Sequence, residues 1–467
     1  MRAAPKFLLP SLAALLGLSG CALGPDYQKP ATATPVAFAE PSPWKVATPR
    51  DHLPRDAWWT IYRDAELDRL QARTAEANPT LAAALARRDQ ARALTRAGRA
   101  GLYPAASVNA SAERTRTAPD SRTGAAAYTD NTFSLPLDLS YELDFWGRVR
   151  RAAEASDALA AASEADYHNA LLGIQADVAR LYFTLRALDA EHALLERTVA
   201  TRRESLDIAD RRLELGAGAD LDVQLARAEL ATAEGELLAV EQDRAASRHA
   251  LAILTGRLPS EFVLAPSAQP LPDSPAIPLA LPSELLERRP DIASSERTLA
   301  AANAGIGAAK AAFFPAVTLT ASAGYESSAL DTLTRWDNRQ WSFGPGITLP
   351  VFQGGRNTAN YRRAQALHAE ALSAYRGAVL DAFREVETAL SDLRLLAARQ
   401  SAQATASEAS RAAADLVRVR YESGRLGYLD VADAERVALA NERLLVRLRG
   451  QNLLAGVSLV RALGGGW

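Results

Sequence analysis

The stretch "FSLPLDLSYELDF", residues 133–145, decides how this chain is built. Phe133, Leu135, Leu137, Leu139, Tyr141, Leu143 and Phe145 alternate with Ser134, Asp138, Ser140, Glu142 and Asp144. Side chains on a strand point to opposite faces in turn, so the segment reads as a strand with one apolar and one polar face. "PAVTLTASAGYE" (315–326) and "WSFGPGITLPVF" (341–352) alternate in the same way, and "PAASVNASAE" (104–113) does so weakly, with alanine on its apolar face. These are four strands in two hairpins. Pro136, Pro345 and Pro350 count against central strands and are expected near strand ends or at local irregularities. The alternation fits a half-buried soluble sheet and a membrane barrel equally well. On the barrel reading Asp138, Glu142 and Asp144 face the lumen or its entrance; on the other they simply wet a polar face.

The N-terminus points towards a membrane. Arg2 and Lys6 precede the apolar run "FLLPSLAALLGLSG", too short for a permanent span and shaped as a secretory signal. It ends in "LSGC", the small residues of a lipoprotein box before Cys21, the only cysteine of the chain, so an internal disulfide is excluded. Residues 1–20 read as a signal peptide, Cys21 as the lipidated new N-terminus, and 21–55, rich in Pro, Ala and Thr, as an extended tether. Ala22 stands where an Asp would favour inner-membrane retention, which favours the outer membrane. Four strands cannot close a barrel, and the economical answer for a lipidated protein is a trimer pooling twelve. A net charge of −2 over 467 residues gives no bias towards nucleic acid.

The chain repeats itself. Pro79 to Pro104 has the spacing of Pro290 to Pro315, Gly147 to Gly216 that of Gly355 to Gly424, and Gly216 to Asp222 that of Gly424 to Asp430. This divides the chain into a first repeat, 56–270, and a second, 271–467, each a helix, a β-hairpin and a long helical hairpin. From Val149 to Leu213 there is no proline, and Leu171, Ile174, Val178, Leu181, Leu185, Leu188, His192, Leu195 and Val199 form a heptad seam. Asn357–Glu422 repeats it with Val379, Val386, Leu393 and Leu396. About 65 helical residues span roughly 100 Å. Each long helix ends at a glycine turn, Gly216 and Gly218 or Gly424 and Gly427, and returns through a shorter helix, Asp220–Thr255 or Tyr428–Leu463. Asp222 and Asp430, present in both copies, suit the first turn of the returning helices. Asp433 and Arg436 occur in one copy only, where the other has Leu225 and Ala228; their spacing also suits a simple pair along one helix face.

"GCALGPDYQKP" (20–30), "AWWTIYRDAELDRLQARTAEANP" (57–79), "ELDFWGRVRR" (142–151), "RRPDIASSERTLAAANAGIGAAKAAFFP" (288–315) and "LGGGW" (463–467) make the chain resemble the outer-membrane efflux proteins, the family of TolC, in its lipoprotein (NodT-type) branch. The resemblance implies a mainly α fold with a trimeric twelve-stranded outer-membrane barrel continuing into a long periplasmic α-helical barrel. It implies an exit duct for small toxic molecules, partnered by a periplasmic adaptor and an inner-membrane RND-type pump. It also implies a distal aperture that opens on docking, its leucine, two acids and arginine falling on Leu429, Asp430, Asp433 and Arg436. Tyr421 and Tyr428 flank that turn. No metal, nucleotide or nucleophile motif is present, so no cofactor and no enzymatic activity are expected; "GIGAAK" (305–310) reads as close helix packing rather than a nucleotide loop. The competing readings are a protein-export duct of the same fold and a periplasmic coiled-coil scaffold without a pore, against which the alternating strands argue.

Overall fold

A computed structural model describes residues 22–31, 38, 55–119, 126–267, 270–275, 277 and 288–465. Cys21 and the signal lie outside these residues. The chain forms two contact units, and each draws on both halves of the sequence. One comprises 1–31, 87–164 and 294–376, the other 32–86, 165–293 and 377–467.

The first half runs through a short 3-10 helix (Arg55–Tyr62), α1 (Ala65–Ala77), α2 (Pro79–Ala100), β1 (Ala105–Val108), β2 (Ser111–Thr117), β3 (Tyr128–Leu143), α3 (Arg148–Glu214) and α4 (Asp220–Leu254). The second runs through α5 (Pro290–Ala311), β4 (Ala316–Ser327), β5 (Arg339–Thr348), α6 (Arg356–Glu422) and α7 (Tyr428–Ala462). The counterparts match in length: α2 and α5 have 22 residues each, α3 and α6 have 67, α4 and α7 have 35. Among the described residues no helix is long and apolar enough to cross a membrane.

The five strands form one antiparallel sheet in which β1 and β2 both pair with β3, β3 with β4, and β4 with β5. Two hairpins were expected from four strands; the first arm is instead broken in two. The break has one cause. Asn109 donates its backbone N–H to Pro136 O at 3.1 Å, and Pro136 has no N–H to return. The register is the same on both sides, Val108 facing Leu137 and Ser111 facing Ser134. Pro136 therefore sits at the irregularity expected of it, and Pro350 lies beyond β5. Pro345 lies within β5, not at its end; β5 is an edge strand, where proline is tolerated because the missing N–H can face the unpaired side.

The register gathers the apolar set on one face. Leu143, Val317 and Ile347 are aligned, then Tyr141, Leu319 and Pro345, then Leu139, Ala321 and Phe343, then Leu137, Ala323 and Trp341. The other face carries Asp138, Ser322 and Ser342 in one row, and Glu142, Thr318 and Gly346 in another. Asp138 joins three strands, accepting from Asn109 Nδ2 at 2.9 Å and Ser322 Oγ at 2.7 Å. Asp144 departs from the expectation. It lies past the strand, and its carboxylate accepts the Arg150 N–H at 2.8 Å, capping the first turn of α3 rather than facing along the sheet. Gly324 is required by close approach: a Cβ there would lie 2.2 Å from Leu135 O and 2.6 Å from Pro136 Cα.

Residues 22–31 correct the tether reading, because they are docked. Leu23 donates to Trp146 O at 3.0 Å, Asn303 to Pro25 O at 2.9 Å, and Arg151 to Asp26 at 2.7 Å, while Lys29 pairs with Glu296 at 3.3 Å. Gly307 of "GIGAAK" is held by close approach on two sides: a Cβ there would lie 2.6 Å from Leu23 O of this strap and 3.0 Å from Arg151 Cγ of α3, so the expected helix packing is present and the strap adds to it.

In the other unit α3, α4, α6 and α7 supply a continuous apolar core. Tyr182, Phe183, Leu251, Val386, Leu390, Leu453 and Leu459 are buried there with Trp58, Tyr62, Leu67 and Leu70 from the N-terminal helices. The α3 seam is wider than the heptad reading, because Leu172, Ala176, Ala179, Tyr182 and Phe183 are buried beside it. The internal repeat is also visible in its hydrogen bonds. Asn78 Nδ2 donates to Leu254 O at 2.8 Å, and Arg289 Nη1, at the corresponding point of the second half, donates to Ala462 O at 2.9 Å. Each bond satisfies an orphan carbonyl at the end of a returning helix.

Gly324→Ala should destabilise the sheet by on the order of 1–3 kcal/mol. Gly344→Ala, where an added Cβ meets nothing within 4 Å, should be neutral; thermal melts followed by β-sheet circular dichroism compare the two.

Candidate functional site

The two glycine turns are built alike. Gly216 and Gly424 have φ of 70° and 72°, the left-handed region a side chain resists. Gly216 N–H donates to Leu213 O and Ala217 N–H to Arg212 O; Gly424 N–H donates to Tyr421 O and Arg425 N–H to Arg420 O. Both are Schellman closures that satisfy the last carbonyls of the long helices. Gly218 is held by space, since a Cβ would sit 2.9 Å from Leu213 N. Gly427 is open on that side and takes the N-cap position of α7.

The shared aspartates differ in what they do. Asp430 Oδ2 accepts the Gly427 N–H at 3.1 Å, reaching back to the cap backbone, to which glycine has no side chain to add. Asp222 lies in the first turn of α4, whose cap residue Ala219 has no side-chain bond. Both acids stand in the first turn as expected, and Asp430 adds a hydrogen bond to the cap.

The turns pack on each other. Val223, Ala226, Ala209, Tyr421, Tyr428, Val431 and Ala432 form a small buried cluster apart from the main core, joining the ends of α3 and α6 to the starts of α4 and α7. The Tyr421 and Tyr428 rings meet edge-on with centroids 5.8 Å apart, and the Arg212 guanidinium lies 4.4 Å from the Tyr421 ring centre. Burial, and then the nearby Glu435 carboxylate, push the Tyr428 hydroxyl up to about 12. It stays protonated at every physiological pH.

Beside this cluster runs a chain of charges. Arg436 donates to Asp433 Oδ1 at 2.9 Å within α7, the i,i+3 pair foreseen, and both side chains are 58% exposed. Its other nitrogen reaches across to α4 and donates to Glu229 Oε1 at 2.8 Å. Glu229, largely buried, also accepts from the buried Arg202 of α3. Burial disfavours the Glu229 carboxylate, but Arg436 and Arg202 outweigh it and hold its pKa below the usual range. Arg436 is thus one clasp between the two helical hairpins, at their turn end; farther along α7, Arg443 pairs with Glu191 of α3 at 2.9 Å and Glu236 of α4 at 2.8 Å. Leu429, 53% exposed, and Asp430 lie on the open side of the turn. Arg418 of α6 pairs with Glu435 on the far side of α7.

Glu229 was not anticipated. It lies 207 residues from Arg436, and no local pattern links them. The repeat did hold a signal: Glu229 aligns with Val437 as Arg436 aligns with Ala228, so the bond joins an unshared charge of the first copy to an unshared charge of opposite sign in the second.

The comparisons with known proteins agree with one another. The profile of the outer membrane efflux protein family matches residues 70–257 and 281–465. The chain is 35% identical to outer membrane protein OprJ of Pseudomonas aeruginosa, over 99% of its own length and 96% of that protein. It is 34% identical to the solvent efflux pump outer membrane protein SrpC of Pseudomonas putida, over 99% of each. Its fold superposes on the solved structure of the outer-membrane channel OprN with a TM-score of 0.89, covering 96% of this chain and 100% of that one at 32% identity.

Glu229→Gln removes a carboxylate whose pKa is lowered on folding, so its contribution is present at neutral pH and fades as pH falls through that lowered pKa. The variant should lose on the order of 2 kcal/mol at pH 7. That deficit should shrink once pH drops below the ordinary glutamate value of 4.5; thermal melts at pH 7 and pH 3.5 read both.

Proposed function

Because the chain is an outer-membrane efflux channel and belongs to the outer membrane efflux protein family, we propose that three copies close one twelve-stranded barrel and continue it as a helical duct into the periplasm. The observation that carries this reading is the state of the sheet. Its apolar face has no covering layer, and β1/β2 on one side and β5 on the other have no outer partner among the described residues. Bare strand edges and an uncovered apolar face are costly in water. Joining each β5 to the β1/β2 of the next copy satisfies every edge, and lipid covers the face. The apolar alternation from Phe133 to Leu143 has the length a tilted membrane strand needs, roughly 9–11 residues.

The duct supplies no energy. Its cargo is small toxic molecules, of which solvents are the class carried in the name of SrpC, and a periplasmic adaptor with an RND-type inner-membrane pump delivers them. Cys21 carries the lipid that adds to the hold on the membrane. The docked strap of residues 22–31 keeps that anchor close to the base of the sheet, through the Leu23 bond to Trp146.

The periplasmic aperture is the ring that three copies of Leu429, Asp430, Asp433 and Arg436 make. The lock within each copy is the Arg436 bond to Glu229, which ties the start of α7 to α4. Arg436 is more than half exposed, so each lock contributes only about 0.2–1 kcal/mol. Three sum to about 1–3 kcal/mol, the size of coupling that docking of a partner readily overcomes. A lock of this strength holds the aperture shut alone and yields to the assembled pump.

The polar face of the sheet lines the exit. Its register places Glu113, Asp130, Asp138, Glu142 and Glu326 there and no lysine or arginine, so the barrel favours cations.

Asp433→Ala with Arg436→Ala should raise the single-channel conductance in planar bilayers, and an unchanged, nearly closed current would sink the aperture assignment. The open double variant should show a cation-selective reversal potential in a salt gradient, reduced in Asp138→Asn with Glu142→Gln. Cys21→Ala should abolish lipid labelling while the barrel still forms, and persisting label would refute the anchor.

A further inference from the structure

The strand register separates the charges of the sheet in a way that the duct reading leaves unexplained. The acids lie on the polar face. Three arginines lie on the other face, and all three are at the loop end of the sheet, away from the helices. Arg114 faces Asn131 and Arg116 faces Thr129, each in step with Phe133, Leu135 and Leu137. Arg339 faces Tyr325, which faces Leu135. Reading up this face from the helix end, rows of Leu, Val, Ile and Phe continue to Trp341; Arg339 follows in the row of Leu135, then the Phe133 row, then Arg114 and Arg116. No Asp or Glu shares their face.

The three are accessible. All of β2 is exposed, and neither Arg114 nor Arg116 has a carboxylate partner among the described residues. Arg339 is held in place: its guanidinium lies 4.5 Å from the Trp336 ring centre and donates to Trp336 O at 2.7 Å. A guanidinium has five N–H donors, so most of its capacity still points outwards.

An arginine on a lipid-facing strand position is unfavourable within the hydrocarbon and nearly free of cost at the interface. Arg339 stands level with Leu135, Arg114 with Asn131 and Arg116 with Thr129, so they run outwards from the last rows of the apolar band and mark that interface. The band lies between the helices and the arginines, so the arginines belong at the outer leaflet, whose glycolipids carry phosphate. The geometry points to a phosphate-binding collar in which Arg114, Arg116 and Arg339 hold the phosphate groups of outer-leaflet glycolipid. This rests on the barrel reading above. Arg339 is on β5 and the other two are on β2, at opposite edges of one sheet, so ring closure brings the arginine-bearing strands of adjacent copies side by side. Bidentate arginine–phosphate bonds suit such a collar.

The test uses the detergent-solubilised assembled protein, titrated with bisphosphorylated lipid A, with its dephosphorylated form and with sodium phosphate, and read by native mass spectrometry. Lipid A should bind well above the dephosphorylated form. Arg114→Gln, Arg116→Gln and Arg339→Gln together should weaken it roughly a hundredfold, and Arg116→Gln alone about fivefold. Arg362→Gln with Arg363→Gln, on the first turns of α6, should leave it unchanged. The trimer mass in the same spectra confirms that the triple variant still assembles. Equal binding of the two lipid forms, displacement by sodium phosphate at equal concentration, or equal loss in the α6 variants would overturn the collar. Absence of a conducting trimer in the open Asp433→Ala, Arg436→Ala variant would remove the barrel reading itself, an outcome distinct from a conducting trimer that ignores phosphate.

Discussion

The structure depends on a sheet that cannot stand alone. Five strand segments pair in register, yet among the described residues the outer edges of β1/β2 and β5 are left with unpaired backbone groups, and the apolar face has no second layer. A soluble domain solves this by folding helices over the sheet. Here the helices lead away from one end of it, because β3 passes into α3 through Gly147 and β5 into α6 through Gly354 and Gly355, all three with positive φ. On the proposed reading, edge closure between copies and burial of the face in lipid satisfy the backbone.

The same economy governs the helical part. Each long helix is stopped by a left-handed glycine and turned back, and each returning helix is closed by a side chain from the start of its own repeat, Asn78 in one half and Arg289 in the other. The duplicated scaffold is held by twin bonds. The copies diverge at Glu229 in the first and at Asp433 and Arg436 in the second. On the proposed gate, a half-exposed arginine on a largely buried glutamate is strong enough to hold and weak enough to release.

Much of this was legible in the sequence, for physical reasons. The helix ends read correctly because glycine and proline fix them locally: the return helices begin at Asp220 and Tyr428 as expected, and end one residue short of the expected limits. The strands read correctly because alternation is a strict period. Three features did not read. The break at Asn109 needs the partner strand, since it is Pro136 opposite that lacks the donor. Asp144 keeps the alternation but belongs to the α3 cap, which periodicity alone cannot distinguish. Residues 22–31 look like a tether by composition and are fixed by contacts with residues as distant as Asn303. The Glu229–Arg436 bond was hidden for the same reason, being a long-range contact between single charges.

The claim on which the rest stands is that the sheet's outer edges are paired between copies. Hydrogen exchange at the amides of Ser111–Thr117 and Arg339–Thr348, measured on the detergent-solubilised protein, tests it most directly. Closure into a ring predicts that amides on both edge strands are protected as strongly as those of β3 and β4. Free exchange of the outward-facing amides, with protection confined to the inner pairs, would contradict it.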